Sequence, residues 1–251
     1  MKFAFVAKKD QEAATIKNYL INNLQGILDE ANPDFVFTIG GDGTVLDAVR
    51  KYLDKLDKIV FVTIHTGKLG FYTEFLPNEI ENIKEILKDY QVREYHLIKC
   101  QSAENINYAL NEITITDQHR LFSGTIFIDD KHLMKVRGNG LCVSTPTGST
   151  AYNKSLGGAI LMPHLEAFQL TVIAPFESLN YKMISPLLLN KEQTITIKPK
   201  NKYIDITADR NWISMEDVEE IKITFAEKKV KFLKNEKNDF VTRLNKTFIG
   251  D

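Results

Sequence analysis

Cysteine, histidine clusters, net charge and long apolar runs are all scarce in this chain, and each scarcity removes a class of protein. Cys100 and Cys142 are the two cysteines in 251 residues. They lie far apart in apolar surroundings, which argues against a disulfide framework or a Cys-rich metal site and fits a reducing, cytoplasmic setting. The five histidines, at 65, 96, 119, 132 and 164, have neither i, i+4 nor HxH spacing, so no zinc ligand set is expected and no metal-ligating residue is assigned. With 32 basic and 33 acidic residues the formal charge is −1. No global field exists to hold nucleic acid or an anionic membrane, and small-molecule nucleotides suit the chain better as partners. No run approaches the about 18 consecutive apolar residues of a membrane span. The apolar Phe3–Ala7 run, ending in Lys8-Lys9-Asp10, is too brief for a signal-peptide core and reads as a first strand.

What is present alternates strand and helix over the first third. The patterning predicts strands at Lys2–Ala7, Asp34–Ile39 and Lys58–Ile64 and helices at Asp10–Leu24, Thr44–Leu56 and Asn78–Tyr90, the last with Pro77 before its first turn. Such alternation gives a parallel sheet covered by helices, with ligands settling beyond the carboxyl ends of its strands. From about Gln91 the texture turns to short β-prone segments. These are Val92–Lys99, Asn105–Thr116, Thr125–Ile128, His132–Val136, Leu141–Ser144, Gln169–Ala174, Gln193–Lys198, Tyr203–Thr207, Glu220–Phe225 and Lys229–Leu233, with Asp129-Asp130 as a hairpin tip. The tail, Asp239–Phe248, sets Phe240, Leu244 and Phe248 on one helical face. The expected fold is therefore α/β plus β: an N-terminal Rossmann-like domain (1–95, plus about 236–251), a C-terminal β-sandwich-like domain (96–235), and a C-terminal helix packing back on the first. The domains are expected to share a firm interface and a cleft.

Four segments could carry chemistry. In FVFTIGGDGT (Phe35–Thr44) a buried strand runs into glycines whose bare N–H groups suit an anion, with Thr44 available to cap a helix starting near Val45. Asp42 would repel that anion, so its carboxylate needs another task, such as taking a proton from a nucleophile or holding a metal. The loop is neither G-x-x-x-x-G-K-[ST] nor G-x-G-x-x-G, and a tight left-handed turn with Asp42 as a mere cap also fits. The segment Ser144–Gly158, STPTGSTAYNKSLGG, offers hydroxyls for ribose and phosphate oxygens, a helix start at Thr150–Leu156, and the Tyr152 ring for a flat heterocycle; a polar surface loop fits equally. Asn111-Glu112 falls inside a β-prone run, so only a bulge would let both side chains reach one pocket. His65–Phe71 carries two glycines after the third strand, and Phe71 either lines an adenine site or plugs the core.

Together, GGDGTVL (Gly40–Leu46), HTGKLGFY (His65–Tyr72), LNE with Asn111-Glu112, and STPTGSTAYNKSLGGAI (Ser144–Ile160) resemble the NAD kinase family in order and spacing. GGDGT alone is shared with lipid kinases and 6-phosphofructokinases; STPTGSTAY is far more specific. The resemblance implies ATP-dependent phosphorylation, assisted by Mg²⁺ or another divalent metal, of the adenosine ribose 2′-hydroxyl of NAD to give NADP. It implies a homotetramer or homodimer. Asp42 is similar to the catalytic carboxylate, Gly41 and Gly43 to the phosphate-facing loop with Thr44 and Leu46 beside it, and Asn111 and Glu112 to the residues that hold the NAD ribose. Thr147, Thr150, Ala151, Tyr152 and Ser155 resemble the pocket for adenine and nicotinamide, with Phe71 alongside, and Tyr181 resembles a residue reaching a neighbouring subunit's nucleotide. Asn139 and the Asp209-Arg210 pair complete the nucleotide-binding set. Two of these depart from the family pattern: Asn139 stands where the family often has Asp, and Arg210 where many members have a smaller or less basic residue. Arg210 would meet a donor phosphate or pair with a surface acid. Rival functions are a diacylglycerol-type lipid kinase of the same superfamily and a non-catalytic NAD(P)-binding sensor.

Overall fold

The computed structural model describes residues 1–67 and 70–250. Lys68 and Leu69 of the HTGKLGFY motif lie outside the described residues. The chain forms two compact units, Met1–Glu94 with Lys228–Asp251, and Tyr95–Glu227.

Unit 1 opens with β1 (Lys2–Ala7), α1 (Gln11–Asn23), β2 (Ile27–Leu28), β3 (Phe35–Ile39), α2 (Asp42–Lys51), β4 (Val60–Ile64) and α3 (Ile83–Ile86). The strands pair in parallel in the order β2-β1-β3-β4. All five residues of both β3 and β4 are buried, as expected of strands covered on both faces. Asp10 caps α1, its Oδ1 accepting from the Ala13 amide at 2.9 Å, so the predicted start of this helix holds. Two other helices differ from expectation. The stretch predicted as a helix over Asn78–Tyr90 is a 3₁₀ turn, Pro77–Asn82, followed by the single turn of α3. There Glu79 reaches back to the Leu76 amide at 2.9 Å, tightening the entry. The helix predicted from Thr44 begins at Asp42, with Gly41 as an extended N-cap and no side-chain cap. Thr44 is therefore inside the first turn and does not cap it.

Unit 2 takes in most of β5 (Val92–Ser102), then β6 (Asn105–Ala109), β7 (Glu112–Thr116), β8 (Phe122–Ile128), β9 (Lys131–Gly138), β10 (Gly140–Ser144), the single turn α4 (Tyr152–Ser155), β11 (Ala167–Ile173), β12 (Leu187–Asn190), β13 (Thr194–Pro199), β14 (Tyr203–Ala208), β15 (Asn211–Glu216) and the first half of β16 (Ile221–Leu233). One sheet runs β12-β11-β10-β7-β14-β15, and β16, β13, β8 and β9 pair in order within another. Buried side chains from both sheets, among them Ile113, Ile115, Val143, Phe168, Ile126 and Ile195, form one core, which makes the unit a sandwich. Asp129 and Asp130 both have positive φ, 49° and 62°, giving the two-residue hairpin predicted between β8 and β9. Strands β12 and β15 were not apparent in the sequence.

The second half of β16 returns to unit 1, where Lys231 and Phe232 pair in parallel with Val60 and Phe61. This is why the second segment of unit 1 starts at Lys228 and not near residue 236. The tail helix α5 (Phe240–Leu244) continues as a π-helical turn, Asn245–Ile249. Phe240 and Phe248 pack on Phe71 with ring centroids at 5.8 and 5.7 Å, so the tail docks on the first unit. Among the described residues no helix is long and apolar enough to cross a membrane.

Candidate active site

Strands β3 and β4 are parallel and in register, Ile39 opposite Ile64, so the loops after them leave the same edge of the sheet. The first delivers Gly40–Gly43 and the start of α2; the second returns through Gly70–Phe75. They meet at Asp42. Its Oδ2 accepts from the Phe71 amide at 2.8 Å and its Oδ1 from the Tyr72 amide at 3.0 Å. Gly70 has no side chain because none fits: a Cβ there would lie 2.2 Å from Asp42 Oδ1. Asp42 is thus no left-handed turn residue and no helix cap. It is a half-buried carboxylate in the first helical turn, favoured there by the helix dipole and fixed by two charge-assisted bonds. Gly41 and Gly43 flank it half-buried, and Leu46 sits one turn along, buried.

The same loops add buried groups that carry no role assigned from sequence. His65 is buried at 5% exposure, and burial lowers its imidazole below the usual range. Glu74 is 2% exposed; burial raises its carboxyl, against the lowering pull of Arg243 and Arg93. Phe71, wedged between Phe240 and Phe248, is a half-buried plug.

Unit 2 holds the other cluster. Asn111 is not inside a strand: Leu110-Asn111 form the bend between β6 and β7, so the predicted run Asn105–Thr116 is two strands in different sheets and no bulge is needed. The bend is fixed from two sides. Asp209, at φ 52° in the two-residue β14–β15 hairpin, accepts from the amides of Leu110, Asn111 and Glu112 at 2.8, 2.7 and 3.2 Å. From the other side, Thr145 Oγ1 and Thr147 Oγ1 donate to the Leu110 carbonyl at 2.5 and 3.1 Å, and the Thr145 amide to Asn111 O at 2.9 Å. Gly148 lies so close that a Cβ would sit 2.0 Å from the Asn111 carbonyl oxygen.

The hydroxyls of the STPTGST segment are therefore structural staples, buried throughout Ser144–Thr150. Ser149 Oγ bonds Pro146 O at 2.6 Å, and Thr150 Oγ1 bonds Thr147 O at 3.3 Å. The surface-loop alternative is excluded. Tyr152 and Ser155, in α4, are exposed, and Ala151 is half-buried. Glu112 carries an unpartnered Oε2 among the described residues; burial, then the Asp209 charge, pushes its carboxyl up to about 8. Burial likewise raises Asp209 to about 6, against its three amide donors. An acid left partly unsatisfied suits sugar hydroxyls that donate to it.

The remaining predicted residues are spread more widely. Asn139 is an exposed joint between β9 and β10, with its amide on Ile173 O at 2.8 Å. Arg210 is exposed at the tip of the β14–β15 hairpin. Tyr181 closes a reverse turn on Ser178, beside Leu179 at 93% exposure.

The ATP-NAD kinase N-terminal domain family matches residues 4–95, and the ATP-NAD kinase C-terminal domain family matches residues 110–235. The chain belongs to the ATP-NAD kinase family. The NAD kinase 1 of Bacillus cereus is 37% identical over 265 aligned residues covering all of both chains. The NAD kinase of Staphylococcus aureus is 39% identical over 267 residues, covering all of this chain and 98% of that one. Among solved structures, an NAD kinase from Archaeoglobus fulgidus in complex with ATP superposes with a TM-score of 0.79 at 28% identity, over 94% of this chain and 95% of the other. Yeast NADH kinase complexed with NADH gives 0.83 at 22% identity, over all of this chain and 87% of the other, a likeness of fold. Asp42 falls in the matched N-terminal family domain, and Asn111, Glu112, Tyr152 and Asp209 in the C-terminal one. Arg243 and the tail rings lie beyond both.

Proposed function

We infer that this chain is a NAD kinase, a phosphotransferase that moves the γ-phosphoryl group of ATP to the adenosine ribose 2′-hydroxyl of NAD. The observation that carries the mechanism is the Asp42 carboxylate, held by two amides at the start of α2 between glycines. In the proposed reaction the 2′-oxygen bonds to phosphorus, the bond to the β–γ bridging oxygen breaks, ADP leaves, and the hydroxyl proton passes to Asp42. A carboxylate is a far weaker base than an alkoxide, so the proton crosses late, as a loose transition state allows. Positioning then supplies most of the acceleration. At Gly41 a Cβ would meet nothing within 4 Å, which leaves the loop backbone there open to phosphate oxygens, and Gly43 is assigned to the same phosphate-facing loop. Glu112 and Asn111, fixed by Asp209 and Thr145, are assigned to ribose, and Tyr152 to a base. Asn139, Tyr181 and Arg210 are proposed as outer contacts of the nucleotides.

Magnesium is proposed to enter on the triphosphate. Asp42 is the carboxylate of the glycine loop that would lie beside such an ion. The ion would supply neutralisation of phosphate charge. A cytoplasmic homodimer or homotetramer is proposed on the family resemblance; the mass in solution tests the assembly, and a monomer at working concentration would refute it.

Purified protein given ATP, Mg²⁺ and NAD is expected to form NADP, read enzymatically, with diacylglycerol left unphosphorylated in a parallel control. NAD binding without NADP would reassign the chain as a sensor.

A further inference from the structure

Arg243, on α5, is a charged side chain with only 3% of its surface exposed. Its Nη1 donates to the carbonyl oxygens of Phe71 and, at 3.4 Å, Gly70. Nη2 lies 3.2 Å from Glu74 Oε1, which Arg93 approaches to 3.5 Å from the other side. Asn235 completes the hold on Glu74, its amide 3.2 Å from Oε2 and its Nδ2 2.9 Å from the backbone oxygen.

Which carbonyls accept is what matters. The Gly70 C=O and the Phe71 N–H belong to one peptide group, and the Phe71 C=O and the Tyr72 N–H to the next. Both N–H groups donate to Asp42. In a trans peptide, C=O and N–H point opposite ways. The guanidinium thus lies on one side of two consecutive peptide planes and the Asp42 carboxylate on the other. We propose that Arg243 is a positioning residue for Asp42, acting through these two peptide groups.

A cation at the carbonyl end polarises each group and sharpens its N–H as a donor, a cooperative gain of about 10–30% per bond. The same contacts fix the planes, so both carboxylate oxygens are aimed. Stability alone is a weak reason for such an arrangement, since buried Arg–Glu pairs are often replaceable by apolar side chains without loss. Nη2 meets Glu74 as an ion pair, and Nη1 alone carries the two carbonyl contacts. Phe240 and Phe248, on the same tail, press on Phe71 and hold the segment against the guanidinium.

This inference rests on Asp42 being the base, and the test separates the two. Arg243→Met is expected to lower NADP turnover at least about tenfold, the scale of a sub-ångström to 1 Å misplacement, with the NAD dissociation constant and the ATP KM within about threefold of native. Glu74→Gln/Arg243→Met removes both fully buried charges, leaving Arg93 with 21% of its side chain exposed, and should show the same split if the single variant folds poorly. Arg243→Lys keeps the charge but not the fork and should recover part of the turnover. In an Asp42→Asn background, Arg243→Met should add less than about a twofold loss, because coupled residues do not act additively. Native turnover in a folded Arg243→Met protein, or losses that multiply fully with Asp42→Asn, would overturn the inference and leave Asp42 in place. Native turnover in Asp42→Asn itself would remove the underlying assignment.

Discussion

At the scale of single residues, two acids stand in different surroundings, Asp42 in unit 1 and Glu112 in unit 2. Asp42 is met by amides. Glu112 is buried with one oxygen unpartnered among the described residues and a second acid nearby. Because its carboxyl is pushed up to about 8 from an ordinary 4.5, the folded chain keeps a proton that the unfolded chain releases. Its contribution to stability is therefore full below about pH 4.5 and is lost as pH rises through about 8, by at most about 1.4 kcal/mol per pH unit within that window. Glu112→Gln removes the titration, so thermal melts from pH 5 to 9 should show its stability gaining on the native protein as pH rises; parallel curves would refute the assignment. Gly70 gives a complementary test. A Cβ there would meet Asp42 Oδ1 at 2.2 Å, so Gly70→Ala should displace the carboxylate and cut NADP turnover at least about tenfold, with unit 2 and NAD binding little changed. Full activity in Gly70→Ala would mean that the observed Asp42 pose is not the working one.

Among elements, periodicity revealed what repeats and missed what punctuates. The buried strands β3 and β4 and the helix α1 were legible because apolar period and the Asp10 cap coincide. The start of α2 was not, because a glycine N-cap has no side chain to announce it. Leu110-Asn111 read as continuous strand, since β propensity carries through a bend that only distant partners create: Asp209 on one side, Thr145 and Thr147 on the other. Asp42 and Asn111-Glu112 could be singled out from local sequence and family resemblance. Arg243 could not, because its role depends on contacts more than 170 residues away in the chain. The docking of the Ser144–Thr150 turn on this bend makes its own prediction. With a Cβ 2.0 Å from the Asn111 oxygen, Gly148→Ala should destabilise the protein by about 1–3 kcal/mol, as overpacking does, and weaken NAD binding in step. A melting temperature equal to native would show that the turn can shift without disturbing Asn111.

For the whole molecule, the two units follow the two matched family domains, except that the chain returns to unit 1 at Lys228. Unit 1 carries the glycines and Asp42; unit 2 carries Asn111, Glu112 and Asp209 with their staples. The central claim is the proposal that Asp42 accepts the proton of a substrate hydroxyl, while NAD binding draws on residues other than Asp42. The most direct test pairs calorimetry of NAD binding with NADP formation at saturating NAD, ATP and Mg²⁺, on native protein and Asp42→Asn. The account predicts NAD affinity within a few-fold of native and turnover lower by at least about a hundredfold, the scale of losing a general base. Near-native turnover by Asp42→Asn at full NAD occupancy would contradict it.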